Sequence, residues 1–300
     1  MTNFTNQYVP SIGLGTYNMS SEEAEFTTFH ALKHGYRHID TAAVYRNEDG
    51  VAKGLKTYLN DSDLKREDIF ITTKLWPGGL VKVDRIKDYT GTVKSFEKSL
   101  MRLNLDYIDL YLIHSPHGKS KRIEQWRALV DLKEAGKIKH IGVSNWGINH
   151  LSELKENDLP MPDANQIELH PWSQKPELVK FLRNEYIDII AYSSLVPLST
   201  WRHKDGENSK KTNEMHEIGL SENSPFKVLA EKYDVTEAQF LLKWAVQNNY
   251  AVLPKSINIE RIKQNFELNF LIDQSDIEYI TTLDKGESIT WEYGDPLKVK

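Results

Sequence analysis

Cysteine is absent from all 300 residues. That absence excludes disulfides, thiolate metal sites, iron–sulfur clusters and a cysteine nucleophile. A basic surplus is absent too. The chain carries 38 Lys and Arg against 43 Asp and Glu, a formal charge of -5, which argues against a general nucleic-acid binder. No run approaches the ~18 apolar residues that a membrane helix needs. The N-terminal MTNFTNQYVP lacks the basic start and apolar stretch of a secretory signal. These absences leave a soluble, cytoplasmic protein as the expectation. With 39% hydrophobic and 10% aromatic residues there is enough apolar material for a sizeable core.

What is present is a repeated alternation. Short apolar runs rich in β-branched residues recur at 11–16, 37–40, 69–75, 107–114, 138–144, 164–169, 187–192 and 250–254. The run Ile187-Asp188-Ile189-Ile190-Ala191-Tyr192 is nearly continuous in hydrophobicity, the pattern of a buried parallel strand. Helical patterns fill the gaps. One spans 22–34, opening after Ser20-Ser21 and closing at Gly35; another spans 123–135 and closes at Gly136. Others fall at 48–59, 84–103, 148–156, 176–185, 236–247 and 259–266. Eight strands alternating with eight helices predict an α/β fold: a single (β/α)8 TIM barrel over residues 1–300. An N-terminal strand or hairpin is expected before it, and extended loops at the C-terminal face. The polar segment Arg202–Pro225 follows the seventh strand and is either a solvated loop or a lid.

In a barrel, chemistry gathers at the C-terminal ends of the strands. Asp40 ends the second strand, Lys74 lies near the end of the third, His114 ends the fourth, and Tyr45 follows Asp40. A phenol is a weak acid, with a pKa near ~10. A neighbouring ammonium favours the phenolate, so Lys74, held by Asp40, is expected to lower the Tyr45 value. Tyr45 would then protonate a carbonyl oxygen while a reductant delivers hydride, with His114 orienting the carbonyl. Taken singly, each of these residues is more simply a structural ion-pair partner.

The segments GYRHIDTAAVYRNE, ITTKLW, LDYIDLYLIHSP, IGVSN, NQIELHP, AYSSL and LPKSINIERIKQN together resemble the aldo-keto reductases, in the family's order from about Ile12 to Asn265. The bacterial members that reduce diketogluconate and glyoxal are the nearest in kind. The resemblance implies reduction of an aldehyde, ketone or dicarbonyl by NADPH, with NADP as the oxidised cofactor and no metal or flavin. It implies Asp40, Tyr45, Lys74 and His114 as the catalytic tetrad. For the cofactor it implies Thr16, Tyr17 and Asp40 beside it, Ser144, Asn145 and Gln166 on the nicotinamide carboxamide, and Tyr192 under the ring. Ser193 and Leu195 fall in the adjoining loop. Lys255, Ser256 and Arg261 match the grip on the 2′-phosphate, and Gln264 and Asn265 the adenine side. A cationic pair beside a hydroxyl suits a phosphate dianion. Tyr17, Trp76, His114, Ser115 and Trp291 are the expected substrate-pocket residues. Ser115 stands where the family often has Trp and is expected to open or polarise that wall. Ser194 and Val196 are expected to alter the loop beside the pyrophosphate.

Other readings stay open. Gly13-Leu-Gly15 lacks the third glycine and the directly following helix of a dinucleotide fingerprint. His30, His34 and His38 invite a metal reading, although no carboxylate accompanies them in a metalloprotease pattern; His34 equally suits a helix C-terminus. His117 and His170 read as polar loop or structural residues. Trp126, Trp146, Trp172, Trp201 and Trp244 read as structural or undecided. Hydrolysis by paired carboxylates would need Glu168 beside Asp40. A catalytically silent NADPH-binding regulatory protein on the same fold is the alternative function. A monomer is expected, with an oligomer left open.

Overall fold

The structure, a computed structural model, describes residues 6–81, 83–198, 217, 221, 224–286, 288, 290–291 and 294–300. Eight parallel strands form one sheet in chain order. They are β1 (Leu14–Gly15), β2 (His38–Asp40), β3 (Phe70–Leu75), β4 (Ile108–Ile113), β5 (Ile138–Ser144), β6 (Ala164–Glu168), β7 (Asp188–Tyr192) and β8 (Ala251–Val252). The first and last edges meet. Ile12 bridges Val252 in parallel, the Gly13 amide donates to the Val252 carbonyl at 2.8 Å, and the Gly15 amide donates to the Pro254 carbonyl at 3.1 Å. The result is a TIM-like barrel. Glycine is required at this seam by space. A Cβ on Gly13 would lie 2.6 Å from the His38 ring, and one on Gly15 would lie 2.8 Å from the Leu253 carbonyl. The two glycines therefore serve the closing of the barrel.

The helices between the strands are α1 (Ser21–Lys33), α2 (Glu48–Asn60), α3 (Tyr89–Leu103), α4 (Arg122–Glu134), α5 (Ile148–Glu156) and α6 (Pro176–Asn184), then α7 (Pro225–Lys232), α8 (Glu237–Gln247), α9 (Ile259–Phe266) and α10 (Gln274–Thr281). Ser20 caps α1 with Glu23 in a reciprocal capping box, and Thr236 does the same for α8 with Gln239. The helix expected from residue 84 starts at Tyr89, because Asp88 accepts the Gly91 amide at 2.8 Å and caps it there. Residues 76–87 fold instead as a loop. Two helices were not expected from the pattern, α7 and α10. Among the described residues no helix is long and apolar enough to cross a membrane.

Strand alternation sorts the side chains. On β4, Leu110 and Leu112 join a small inner cluster with Val9, Ala164, Ile190 and Ala251. Their neighbours Tyr111 and Ile113 join the large outer core beneath the helices, with Trp126, Trp146, Trp172 and Trp244. These four tryptophans are structural; Trp201 lies outside the described residues. So does most of the Arg202–Pro225 segment, and the lid reading falls there. His30 packs against Phe26 and Phe29, with ring centroids 4.4 and 5.3 Å away, and His34 is the C-cap of α1. No group of three or more potential ligands among the described residues could hold a metal.

The expected N-terminal strand or hairpin does not form within residues 6–13. The backbone amides that such a strand would offer to a partner are taken by one carboxylate. Asp188, at the base of β7, accepts from the amides of Gln7, Tyr8 and Val9 at 2.7, 2.8 and 3.0 Å. Tyr8 also stacks on His140 at 4.5 Å. The segment plugs the N-terminal end of the barrel with its polar backbone satisfied. Replacing Asp188 with Ala removes the acceptor of three amides, that of Val9 buried and those of Gln7 and Tyr8 partly so. It is expected to cost about 2–4 kcal/mol, measured as a lower denaturant midpoint together with faster proteolysis near residue 8.

Candidate active site

The alternation that fills the lower barrel with apolar side chains brings polar ones to its upper end. His38 and Asp40 on β2, Thr72 and Lys74 on β3, Ser144 on β5, Gln166 and Glu168 on β6 and Tyr192 on β7 share the inner parity of their strands. At their centre is a buried ion pair. Lys74 is 0% and Asp40 3% exposed, and Lys74 Nζ donates to Asp40 Oδ1 at 2.5 Å. Lys74 also donates to the Thr41 carbonyl at 2.9 Å and reaches Tyr45 Oη at 3.5 Å. Gln166 Nε2 donates to the other Asp40 oxygen at 2.8 Å. Burial pushes the Asp40 carboxyl up and the Lys74 ammonium down, and each partner's charge opposes the other's shift.

Tyr45 sits at the end of the short 3-10 turn Ala43–Tyr45. Its hydroxyl does not behave as expected from the ammonium alone. Burial raises its pKa well above the ordinary phenol value, and the charge of Asp40 adds to the rise. With its pKa raised in this way, Tyr45 stays protonated throughout the neutral range. Tyr17 and His114 meet the Tyr45 ring edge-on, with centroids 5.1 and 5.6 Å away. Burial, then the charge of Lys74, holds His114 well below the usual imidazole range, so its ring is neutral. Its Nδ1 is buried without a hydrogen-bond partner among the described residues.

A hydrogen-bonded chain runs from this centre across the mouth. Ser144 donates to the Gln166 carbonyl at 2.8 Å, Asn145 Nδ2 donates to Ser144 Oγ at 3.0 Å and to the His114 carbonyl at 3.1 Å, and Tyr192 Oη donates to Asn145 Oδ1 at 2.6 Å. Thr16 Oγ1 donates to the Asp40 carbonyl at 3.0 Å. Thus Thr16, Tyr17, Asp40, Tyr45, Lys74, His114, Ser144, Asn145, Gln166 and Tyr192 come together. Ser193 follows in the left-handed region at φ 56. Leu195 packs against the core.

The remaining expectations divide. Trp76 reaches the site, its ring 5.6 Å from that of His114, and its indole N–H donates to Asp84 at 2.7 Å. Trp291 also reaches it. Its indole N–H donates to Tyr192 Oη at 2.8 Å, and its ring stacks on His117 at 5.7 Å. The Ser115 hydroxyl lies 3.0 Å from His117 Nδ1. Val196 is 0% exposed in the core, and Ser194 turns its hydroxyl onto the Ala191 carbonyl at 3.2 Å. Lys255, Ser256, Arg261, Gln264 and Asn265 form a separate group on the β8–α9 loop and α9. There Asn258 caps the helix by accepting the Arg261 amide at 3.0 Å. The side chains of Lys255 and Arg261 are exposed.

One anchor was missed in the sequence. Glu168 is 2% exposed and accepts from His170 Nε2 at 3.1 Å and from the Thr290 amide and hydroxyl at 3.1 and 2.8 Å. It ties the C-terminal segment over the mouth, and nothing near Thr290 in the sequence signals that. Burial pushes its carboxyl up, but these donors outweigh it and hold the pKa at about 2. Burial also holds His170 down, against the opposing hydrogen bond and charge of Glu168. The Glu168 carboxylate is thus engaged by His170 and Thr290.

The sequence model of the Aldo/keto reductase family matches residues 11–285. The chain is 38% identical to a glyoxal reductase of Bacillus subtilis, over 94% of this chain and 91% of that one. It is 35% identical to the methylglyoxal reductase DkgA of Escherichia coli K12, over 94% and 92%. Among solved structures, an aldo-keto reductase from a Medee basin deep-sea metagenome library is 37% identical. It covers 96% of each chain, with a TM-score of 0.81. A Bombyx mori aldo-keto reductase in complex with NADP is 28% identical over 96% of this chain and 95% of that one, with a TM-score of 0.80.

The Glu168 anchor has a pH signature. Its folded pKa, about 2, lies below the ordinary 4.5, so its stabilisation is full above that ordinary value and is lost as pH falls through the folded one. Glu168→Gln is expected to lower stability at neutral pH and to flatten the loss between about pH 4.5 and 2. Urea unfolding across that range measures both.

Proposed function

Because the chain belongs to the aldo/keto reductase family, we propose that it reduces the carbonyl of a small aldehyde, ketone or dicarbonyl to an alcohol, with NADPH as the cofactor. One observation carries this reading above the others. The Tyr45 hydroxyl stands 3.5 Å from an ammonium that is itself held 2.5 Å from Asp40. The names of the glyoxal and methylglyoxal reductases among its relatives support small carbonyl compounds as substrates.

The substrate carbonyl oxygen lies between Tyr45 and His114. Tyr45 is the general acid. Its raised pKa keeps the proton in place until the oxygen becomes basic. The Lys74 ammonium then steadies the phenolate that Tyr45 leaves behind. Asp40, itself oriented by Gln166, fixes Lys74 at that distance. The neutral His114 ring donates one N–H to the same carbonyl oxygen and aligns it. Trp76, Tyr17 and Trp291 wall the pocket and exclude water. NADPH, when bound, supplies the hydride.

The residues present fit that cofactor. Lys255 and Arg261 flank the first turn of α9, and neither side chain makes a hydrogen bond or ion pair with a described residue. Beside Ser256 they suit a 2′-phosphate dianion, which favours NADPH over NADH. When NADPH is bound, Gln264 and Asn265 would hold the adenine side, Ser193 and Leu195 the diphosphate, Ser144, Asn145 and Gln166 the carboxamide, and Tyr192 the nicotinamide ring.

Two variants test the assignment. Tyr45→Phe is expected to lower kcat about a hundredfold or more, with NADPH affinity held within about twofold by fluorescence quenching. Retained kcat would remove Tyr45 as the acid. Tight cofactor binding without turnover of any aldehyde or α-dicarbonyl by the wild type would instead favour the regulatory alternative. Arg261→Ala is expected to weaken NADPH about ten- to a hundredfold and to leave NADH nearly unchanged. Equal losses would place the 2′-phosphate elsewhere.

A further inference from the structure

A cleft opens at the turn that carries Tyr45, beside the site already described. Its volume is about 270 Å³, and Arg46, Lys87, Arg102, Lys98, Ser95 and Trp76 line it. Ala43 and Val44, which precede Tyr45 on the same turn, complete the lining. Four of these side chains are cations and none is an acid.

Two of the cations are already engaged. Arg102 pairs with the buried Glu48 at 2.6 Å, and Lys87 Nζ donates to the Trp76 carbonyl at 2.5 Å. Asp84, which accepts the Trp76 indole N–H at 2.7 Å, acts on Lys87 through its charge. The other two cations are uncompensated. The side chains of Arg46 and Lys98 make no hydrogen bond or ion pair with a described residue. Burial, reinforced by the Lys98 charge against the opposing charge of Asp84, holds the Lys87 ammonium below its usual range. An anion seated among these groups would relieve that repulsion.

The backbone turns sharply at the edge of this cleft. Arg46 adopts φ 60, ψ 32, the left-handed region that a long side chain rarely occupies. This turn comes one residue after Tyr45 and places Arg46 on the cleft. On the far side, Trp76 is both a wall of the cleft and the edge-on neighbour of His114 at 5.6 Å. One indole therefore borders both the cationic cleft and the ring that orients the carbonyl.

We propose that this cleft is an anion subsite, in which Arg46, Lys87 and Lys98 receive a carboxylate or phosphate carried by the substrate while its carbonyl lies at Tyr45 and His114. The proposal rests on the reductase reading and sharpens it: among otherwise matched carbonyl compounds, those with a distal oxyanion are preferred. Arg46 brings a planar fork suited to two oxygens, and the two ammonium groups act as point charges.

Matched pairs test it. Butanal is compared with succinic semialdehyde, benzaldehyde with its three carboxy isomers, and glyceraldehyde with its 3-phosphate. The enzymes are the wild type, Lys98→Met, Lys98→Glu and Lys98→Arg. KM for the anionic member is expected to rise about five- to tenfold in Lys98→Met, to rise further in Lys98→Glu, and to recover in Lys98→Arg. KM for the neutral member and kcat for both should move less than about twofold. The pair with the larger selective change identifies the oxyanion, and the carboxy isomers report its spacing from the carbonyl. Parallel changes in both members, or a wild type without preference for the anion, overturn the subsite and leave the reductase standing. If no carbonyl turns over, calorimetric titration with succinate and with inorganic phosphate decides the subsite by itself. Uptake abolished by Lys98→Glu retains it, and no uptake by the wild type removes it.

Discussion

A charged pair buried inside a barrel is the constraint on which the rest of this structure depends. Separately, the Asp40 carboxylate and the Lys74 ammonium would each cost several kcal/mol to bury. Together they are tolerated only if every remaining donor and acceptor is satisfied. The structure meets that demand with the Thr41 carbonyl on Lys74 and the Gln166 amide on Asp40. Those requirements fix the relative positions of β2, β3 and β6. They also leave one direction in which Lys74 can still act, toward the hydroxyl of Tyr45.

The support extends outward in both directions along the sheet. Behind Lys74, its neighbour Thr73 points to the outer face and donates to the buried Glu48 at 2.6 Å, which in turn holds Arg102. That contact sets the start of α2 and with it the turn that carries Tyr45. Asn47 binds the same region from the other side, donating to the carbonyls of Thr16 and Met19 and accepting from Thr41. Across the mouth, the chain through Ser144, Asn145 and Tyr192 ends on Trp291, so the C-terminal segment is tied to the wall of the site at two points, Glu168 and Tyr192. A site built this way holds its polar groups in place before any ligand arrives.

Much of this was legible in the sequence for a definite reason. A strand alternates its faces every second residue, so the placement of Asp40, Lys74 and Gln166 on one interior follows once the strands are found. The eight apolar runs located all eight strands, and Gly35 and Gly136 marked helix ends correctly, both at positive φ. The reading fell short where partners are distant. The expected N-terminal strand or hairpin is absent from residues 6–13, where Asp188, about 180 positions away, takes the amides of residues 7–9, and nothing local reveals that.

The sequence by itself determined the order and period of the strands, the strand ends at which polar residues gather, and the family those residues resemble. These are local properties, carried by neighbours a few positions apart. Tertiary structure alone decided that Trp291 would bind Tyr192 from 99 residues away and that Thr290 would anchor to Glu168 across 122. It also decided the sense of the Tyr45 shift, upward rather than downward. Burial is a sum over side chains from every strand of the barrel, and it sets that sense together with the Asp40 charge, where the sequence showed only a nearby lysine.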